Sequence, residues 1–357
     1  MIKYLGSKRR LVGVLGELAE NSGAATALDL FTGTTRVAQE FCRRGLHTTA
    51  VDLASYSEVF AQCYVELDAD TLTTEQHAEL AEALDWLGGL APVRGYVTEM
   101  FCEQARYFQP DNGQRIDAIR AGIDRRYGAS WLRPVLLTSL IEAADRVDST
   151  IGLHMAYLKN WSARSHSPLR LRAPVLVPGT GRAVRGDATK LVDQLPPADL
   201  AYLDPPYNQH RYFTNYHIWE TLVRWDEPET YGVARKRADA REPETRTVLD
   251  SRRTMPAALA ELIARVRAEV VVVSFNDEGF VPLDDLVDMC RVHGEVEVLA
   301  FDSRRHIGHR IGVHNLRGEV VGEPGRGRNL EYVLVAGAPD VVARTVPDRA
   351  LLPSPTQ

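Results

Sequence analysis

The sequence predicts an α/β fold, an open Rossmann-like sheet whose strand–helix alternation is broken by a helical insert. Three observations predict it. Short apolar runs such as Ala25–Phe31, Leu200–Leu203 and Glu269–Phe275 have the look of strands buried on both faces of a parallel sheet. Each is followed by a turn and, in the first half of the chain, by a helical stretch. Between about residues 68 and 177 the strand signals stop and helical periodicity takes over.

The totals bound the function. At 357 residues the chain can bury a full core and carry an insert, with 45% hydrophobic and 25% charged residues as in ordinary globular domains. No apolar run approaches the roughly 18 residues of a membrane span, and MIKYLGSKRR has no apolar signal core. The expectation is a cytoplasmic protein with no membrane partner. Cys42, Cys63, Cys102 and Cys290 are far apart, which argues against a disulfide framework or a zinc site. The net charge of −6 excludes a uniformly basic nucleic-acid coat, so any nucleic-acid contact has to be local.

At the N-terminus, Lys3, Lys8, Arg9 and Arg10 surround a Gly6-Ser7 turn before a helix expected over Leu11–Glu20. Backbone amides and a lysine at such a turn make an anion site, although a solvated basic terminus reads the same way. The strand Ala25–Phe31 carries Asp29 and runs into Thr32-Gly33-Thr34-Thr35 and the helix Arg36–Gly45, the opening of a Rossmann-like unit. A lone glycine without the later ones of GxGxxG argues against NAD or FAD. The strand His47–Asp52 ends in an acid about twenty residues after that turn. Asp52 suits ribose hydroxyls, and equally suits capping the helix Ala54–Leu67.

In the insert, Thr71–Trp86, Gln114–Tyr127 and Leu132–Val147 read as helices. Between them lie Arg106-Tyr107-Phe108, Tyr157–Trp161 and Arg164–Arg172, basic and aromatic residues that suit phosphates and base edges, or a helical cap with an aromatic core. The alternation resumes with Gly181–Ala188, where Asp187 is a third acidic strand end, open to an amino group or to capping.

The stretch LAYLDPPYNQH (residues 200–210) is the most informative. A strand stops at Asp204-Pro205-Pro206-Tyr207, and two prolines force a stiff, open turn at its C-terminal end. Open α/β sheets place their chemistry at that end. The turn offers a carboxylate, the Pro205 carbonyl and an aromatic ring, which together suit a planar group bearing an amine, such as a nucleobase. A helix follows to about Val223, and then Arg224–Pro256, a long Pro-, Arg- and Glu-rich loop with Arg235, Lys236 and Arg237. The strands Glu269–Phe275, Val296–Asp302, His309–His314 and Glu331–Ala336 are consistent with an antiparallel closing pair at a sheet edge, and Pro339–Gln357 with an exposed tail. His306, His309 and His314 do not converge in a hairpin, and no metal is expected.

KYLGSKRRL, DLFTGTTRV and LDPPYNQHRYFTNYH, in that order, resemble the N-terminal, cofactor-strand and catalytic motifs of the Dam-like (alpha-group) adenine-specific DNA methyltransferases. The resemblance covers most of the chain. Thr35 departs from it, standing where the family's FxGxG turn has its second glycine.

The resemblance implies an S-adenosylmethionine-dependent methyltransferase sheet, formed by residues 1–67 and 178–338, with 68–177 as a target-recognition insert and 339–357 as a tail. It implies S-adenosyl-L-methionine as methyl donor and a flipped adenine in double-stranded DNA as acceptor. Cofactor contacts would come from Tyr4, Lys8, Asp29, Phe31, Gly33, Thr34, Asp52, Asp187 and Asp204, with Lys8 on the methionine carboxylate and Asp187 facing the adenine. Asp204 and the Pro205 carbonyl would accept the two amino hydrogens, Pro206 would stiffen the turn, and Tyr207 would stack on the base. Direct in-line transfer needs no covalent enzyme intermediate. Arg211, Asn215, Tyr216, Arg235, Lys236 and Arg237 would touch the nucleic acid, and a restriction endonuclease is an expected partner. The rivals are the same chemistry on RNA adenine or DNA cytosine, a silent DNA-binding scaffold, and a nucleotide-binding regulator.

Overall fold

A computed structural model describes residues 2–6, 8–207, 211–304, 313–314, 320–322 and 328–347. Seven strands form the central sheet: β1 (Thr26–Asp29), β2 (His47–Asp52), β3 (Gly181–Arg185), β4 (Ala198–Leu203), β5 (Ala268–Asn276), β6 (Glu295–Arg304) and β7 (Arg328–Gly337). Their order is β3-β2-β1-β4-β5-β7-β6. The first five are mutually parallel, and β7 runs antiparallel between β5 and β6. The mixed α/β architecture with a mostly parallel sheet is the one the apolar runs predict.

Alternation along those runs coats both faces of the sheet. Leu200, Tyr202, Val270 and Val272 pack with Leu15 and Leu18 of α1 (Val12–Ser22) and Phe41 of α2 (Arg36–Arg43). Ala201, Leu203, Val271 and Val273 pack on the other side with Leu259 and Leu262. β1 has β2 on one side and β4 on the other, so the strand order reverses there and a crevice opens beyond the strand ends. Asp29, Asp52 and Asp204 line that crevice.

The inserted helices α4 (Thr74–Gly88), α5 (Pro110–Tyr127) and α6 (Leu132–Val147) lie between β2 and β3 in the chain. A capping box between Thr73 and Gln76 starts α4, and Pro110 opens α5, where its missing N–H costs nothing. Their apolar cluster includes Phe101, Ile119 and Leu136, and continues into Tyr56 and Phe60 of α3 (Ser55–Ala61) and Trp219 and Leu222 of α7 (His217–Arg224).

Several elements differ from the sequence reading. The Arg224–Pro256 stretch is tethered by a short hairpin, Thr230–Tyr231 with Lys236–Arg237, and by buried Ala240 and Leu249. Its order comes from scattered contacts that leave no periodic signal. Helices α8 (Met255–Arg265) and α9 (Leu283–Cys290) were not foreseen. The expected tail begins with a helix, Pro339–Thr345, whose Val342 is buried and whose Arg344 Nε donates to the Ser22 carbonyl. Ser7, residues 208–210 and 348–357, His306 and His309 lie outside the described residues, as does the side chain of His314. The backbone at Val313–His314 pairs with Val320–Gly322, apart from the main sheet.

Candidate active site at the switch point

The turn after β1 is held by its own polar groups. Thr32 Oγ1 donates to Asp29 Oδ2 at 2.8 Å, and the Thr35 amide donates to the Thr32 carbonyl at 2.7 Å. Gly33 has φ +52°, and a Cβ there would lie 2.9 Å from Tyr4 Cε1, so only glycine lets the aromatic ring close over the turn. Thr35 also takes a left-handed conformation, φ 62°, which a β-branched residue rarely adopts. Gln39 Nε2 donates to its hydroxyl at 2.9 Å and helps hold it there. The position that departs from the resemblance thus keeps a glycine's backbone shape.

Asp52 ties two turns together. Its Oδ2 accepts the Gly33 amide and its Oδ1 the Ala54 amide, both at 2.9 Å. Asp187 caps the short turn that follows β3, with Oδ1 accepting from the Thr189 amide and hydroxyl. Its Oδ2 is buried with no hydrogen-bond partner among the described residues.

The N-terminal segment closes the crevice from above. The Leu5 amide donates to Tyr216 Oη at 2.6 Å, and the Tyr4 ring stacks against both Tyr212 and Tyr216, with centroids at 5.4 and 4.6 Å. This places the buried Lys8 ammonium 2.8 Å from Asp204 Oδ1 and 2.8 Å from Glu331 Oε1. Burial pulls that lysine's pKa down, but the two carboxylates outweigh it and hold the pKa well above the usual range. Burial pushes Asp204 up to about 6 against the pull of Lys8, with Glu331 adding to the push. Asp29 goes up to about 7 through burial, opposed by the Thr32 hydroxyl and helped by Asp204 and Asp52.

At the turn Asp204–Tyr207, Pro205 is buried, and among the described residues nothing donates to its carbonyl. Tyr207 lies edge-on to Phe275 at 6.1 Å, and its carbonyl accepts the Phe280 amide at 2.8 Å. A carboxylate, a free carbonyl and an anchored ring therefore stand together beyond β4.

Two clefts meet at Asp204, sharing Tyr4, Gly6 and Phe31 as well, while Pro205 and Tyr207 line neither. One continues past Asp52 and Asp187, the other past Lys8, Asp29, Gly33 and Thr34. All nine residues expected at the cofactor thus line one continuous crevice. Pro206 and Arg211 line it as well. Sequence reasoning missed Thr245, Thr247 and Asp250, which wall the first cleft from the Arg224–Pro256 stretch, and Arg36 in the second. Glu331 was missed too, since a glutamate within an apolar strand carries no motif.

The residues expected at nucleic acid are not gathered. Arg211 Nη2 donates to the Ala240 carbonyl, bracing the cleft wall. Asn215 and Tyr216 are enclosed, the latter beneath Tyr4. Arg237 is fully buried, its guanidinium bonded to Asp226, Asp239 and Thr221, so it anchors the hairpin and presents no face to a phosphate. Arg235 and Lys236 are half-buried beside it.

A family model for the D12 class of N6 adenine-specific DNA methyltransferases matches residues 4–248. The chain is 27% identical over 311 residues to the type II methyltransferase M.FokI of Planomicrobium okeanokoites, covering 82% of this chain and 47% of that one. It is 27% identical over 319 residues to M.NlaIII of Neisseria lactamica, covering 85% and 92%. It is 26% identical over 323 residues to the modification methylase StsI of Streptococcus sanguinis, covering 85% and 49%. The chain therefore spans about half the length of M.FokI and StsI and most of M.NlaIII.

Proposed function

The chain belongs to the D12 class of N6 adenine-specific DNA methyltransferases, and on that premise we propose that it methylates the exocyclic amine of an adenine in duplex DNA, with S-adenosylmethionine as donor. The observation that carries the reading is the convergence of the Asp204 carboxylate, the free Pro205 carbonyl and the Tyr207 ring beside a crevice lined by three acidic strand ends.

The residues present fit the cofactor. Asp187 Oδ2 is a buried acceptor without a donor, suited to an adenine amino group. Asp52 lines the same cleft next to Gly33, where hydroxyls of a ribose would find an acceptor. Lys8 is committed to Asp204 and Glu331, so the cation for the amino-acid carboxylate is better supplied by Arg36, which lines the second cleft with a buried Nε lacking a hydrogen-bond partner among the described residues. When bound, S-adenosylmethionine supplies an electrophilic methyl group.

The chain's own residues do the rest. An adenine amine is a poor nucleophile because its lone pair is delocalised into the ring. Asp204 and the Pro205 carbonyl accept its two hydrogens, draw the nitrogen toward tetrahedral geometry and stabilise the positive charge that develops on it. Tyr207 stacks on the extruded base, a contact worth about 1–3 kcal/mol. The insert, residues 68–177, serves as the target-recognition part. On it Arg146, Arg170 and Arg172 line a groove that no carboxylate lines, a track for backbone phosphates in a chain of net charge −6. Relatives named as modification methylases make a restriction endonuclease of matching specificity the proposed partner.

The test is Asp204→Ala, which should cost at least about 10²–10³ in turnover while cofactor affinity holds. Near-normal turnover would remove Asp204 from the mechanism.

A further inference from the structure

The topology brings an acidic residue to the catalytic edge by a route that the parallel strands do not offer. Parallel strands deliver their C-terminal residues to the crevice, as β4 delivers Asp204. Because β7 is antiparallel, its N-terminal half lies at that same edge, and Glu331 sits opposite Asn276 near the end of β5. From there Glu331 Oε1 reaches the Lys8 ammonium at 2.8 Å, a cation that also contacts Asp204 Oδ1 at 2.8 Å. Glu331 lies beyond the span that the family model matches.

We propose that Glu331 is a positioning residue for catalysis: it fixes the Lys8 ammonium against Asp204 and thereby sets the charge and orientation of the carboxylate that receives the target amine. This rests on the reading of Asp204 given above. An ammonium on a four-carbon arm is a mobile point charge, and one carboxylate partner would leave it free to swing. Two carboxylate partners, each at 2.8 Å, hold it. The lysine is thus ion-paired, at Oδ1, with the carboxylate that is to accept a substrate N–H.

The arrangement also sets a balance of charges. Lys8 faces two carboxylates, so the cluster carries one excess negative charge. That charge favours the positive charge that develops on the amine, and at the same time opposes ionisation of Asp204. The other groups acting on Asp204 and its partners are Asp29 from β1, Tyr202 from β4, Tyr207 from the catalytic turn and Tyr212 beyond it. None of them makes the ion pair that Lys8 and Glu331 make.

The experiment titrates Asp204 in the unliganded protein, by carboxyl ¹³C NMR, with its resonance identified through its loss in Asp204→Asn. Glu331→Gln removes the like charge but keeps the side-chain shape, and should lower the Asp204 midpoint by roughly one pH unit. Glu331→Asp shortens the arm, draws the ammonium toward the strand and should raise the midpoint. The acid limb of kcat should move in the same two directions, with the KM for the cofactor near wild type. A folded Glu331→Gln or Glu331→Asp protein whose Asp204 midpoint is unmoved overturns the proposal. Should Asp204→Asn instead turn over at the wild-type rate, the reading of Asp204 fails, while the titration still reports whether Glu331 acts on it.

Discussion

The Asp52 carboxylate accepts the Gly33 amide at 2.9 Å, tying the end of the second strand to the turn after the first. Its other oxygen holds the Ala54 amide where α3 begins. Asp52→Ala strands both amides and should cost about 2–4 kcal/mol of stability, by analogy with other hydrogen bonds to charged groups. Cofactor affinity should fall by at least about tenfold, or 1.4 kcal/mol, as measured by calorimetry. Unchanged affinity would make Asp52 a structural tie alone.

Thr35 and Gln39 offer a second check. The left-handed threonine has its hydroxyl buried against the Gln39 amide at 2.9 Å. Gln39→Ala should destabilise the protein by about 1–2 kcal/mol. In a Thr35→Gly background, where the backbone conformation is free of strain and the hydroxyl is gone, the same change should cost under about 0.5 kcal/mol. Equal costs in both backgrounds, from urea unfolding, would show that Gln39 does not hold Thr35.

The sheet and the crevice were largely legible in the sequence, because both rest on local signals. Val270–Val273 and Leu200–Leu203 announce buried strands by composition, and the DPPY turn announces a strand end by the stereochemistry of proline. What was not legible depends on partners distant in the chain. Arg237 has the composition of a phosphate contact, yet Asp226 and Asp239 claim it in the interior. Thr247 and Asp250 reach the cleft because their loop folds back onto it. Glu331 reaches Lys8 only through the antiparallel insertion of the last strand.

Asp29 gives the protein a pH signature. Burial raises its pKa from 3.8 to about 7 in the folded state. The folded chain therefore keeps a proton that the unfolded chain releases, so this group's contribution to stability is fully present below about pH 3.8 and is lost as pH rises through about 7. Asp29→Asn should flatten that slope and leave the variant more stable than wild type at pH 8, by at most ~4 kcal/mol. A wild-type slope retained in the variant would rule out Asp29 as its source.

The arginine groove on the insert predicts a salt effect. Arg170 and Arg172 are exposed on a segment whose backbone is bound by Ser139 and Arg146. Replacing both with glutamine should weaken duplex binding alike on specific and nonspecific sequences, and should reduce the slope of log K against log salt by about 2. A change confined to one sequence would make them base readers, and no change would move the phosphate track elsewhere.

The central claim is most directly tested by incubating the protein with S-adenosylmethionine carrying a labelled methyl group and mixed duplex DNA, then digesting the DNA to nucleosides. The account predicts that the label is recovered as N6-methyladenosine's deoxy form, with none in an Asp204→Ala control. Label in cytosine, or none in DNA despite demonstrated cofactor binding, would contradict it.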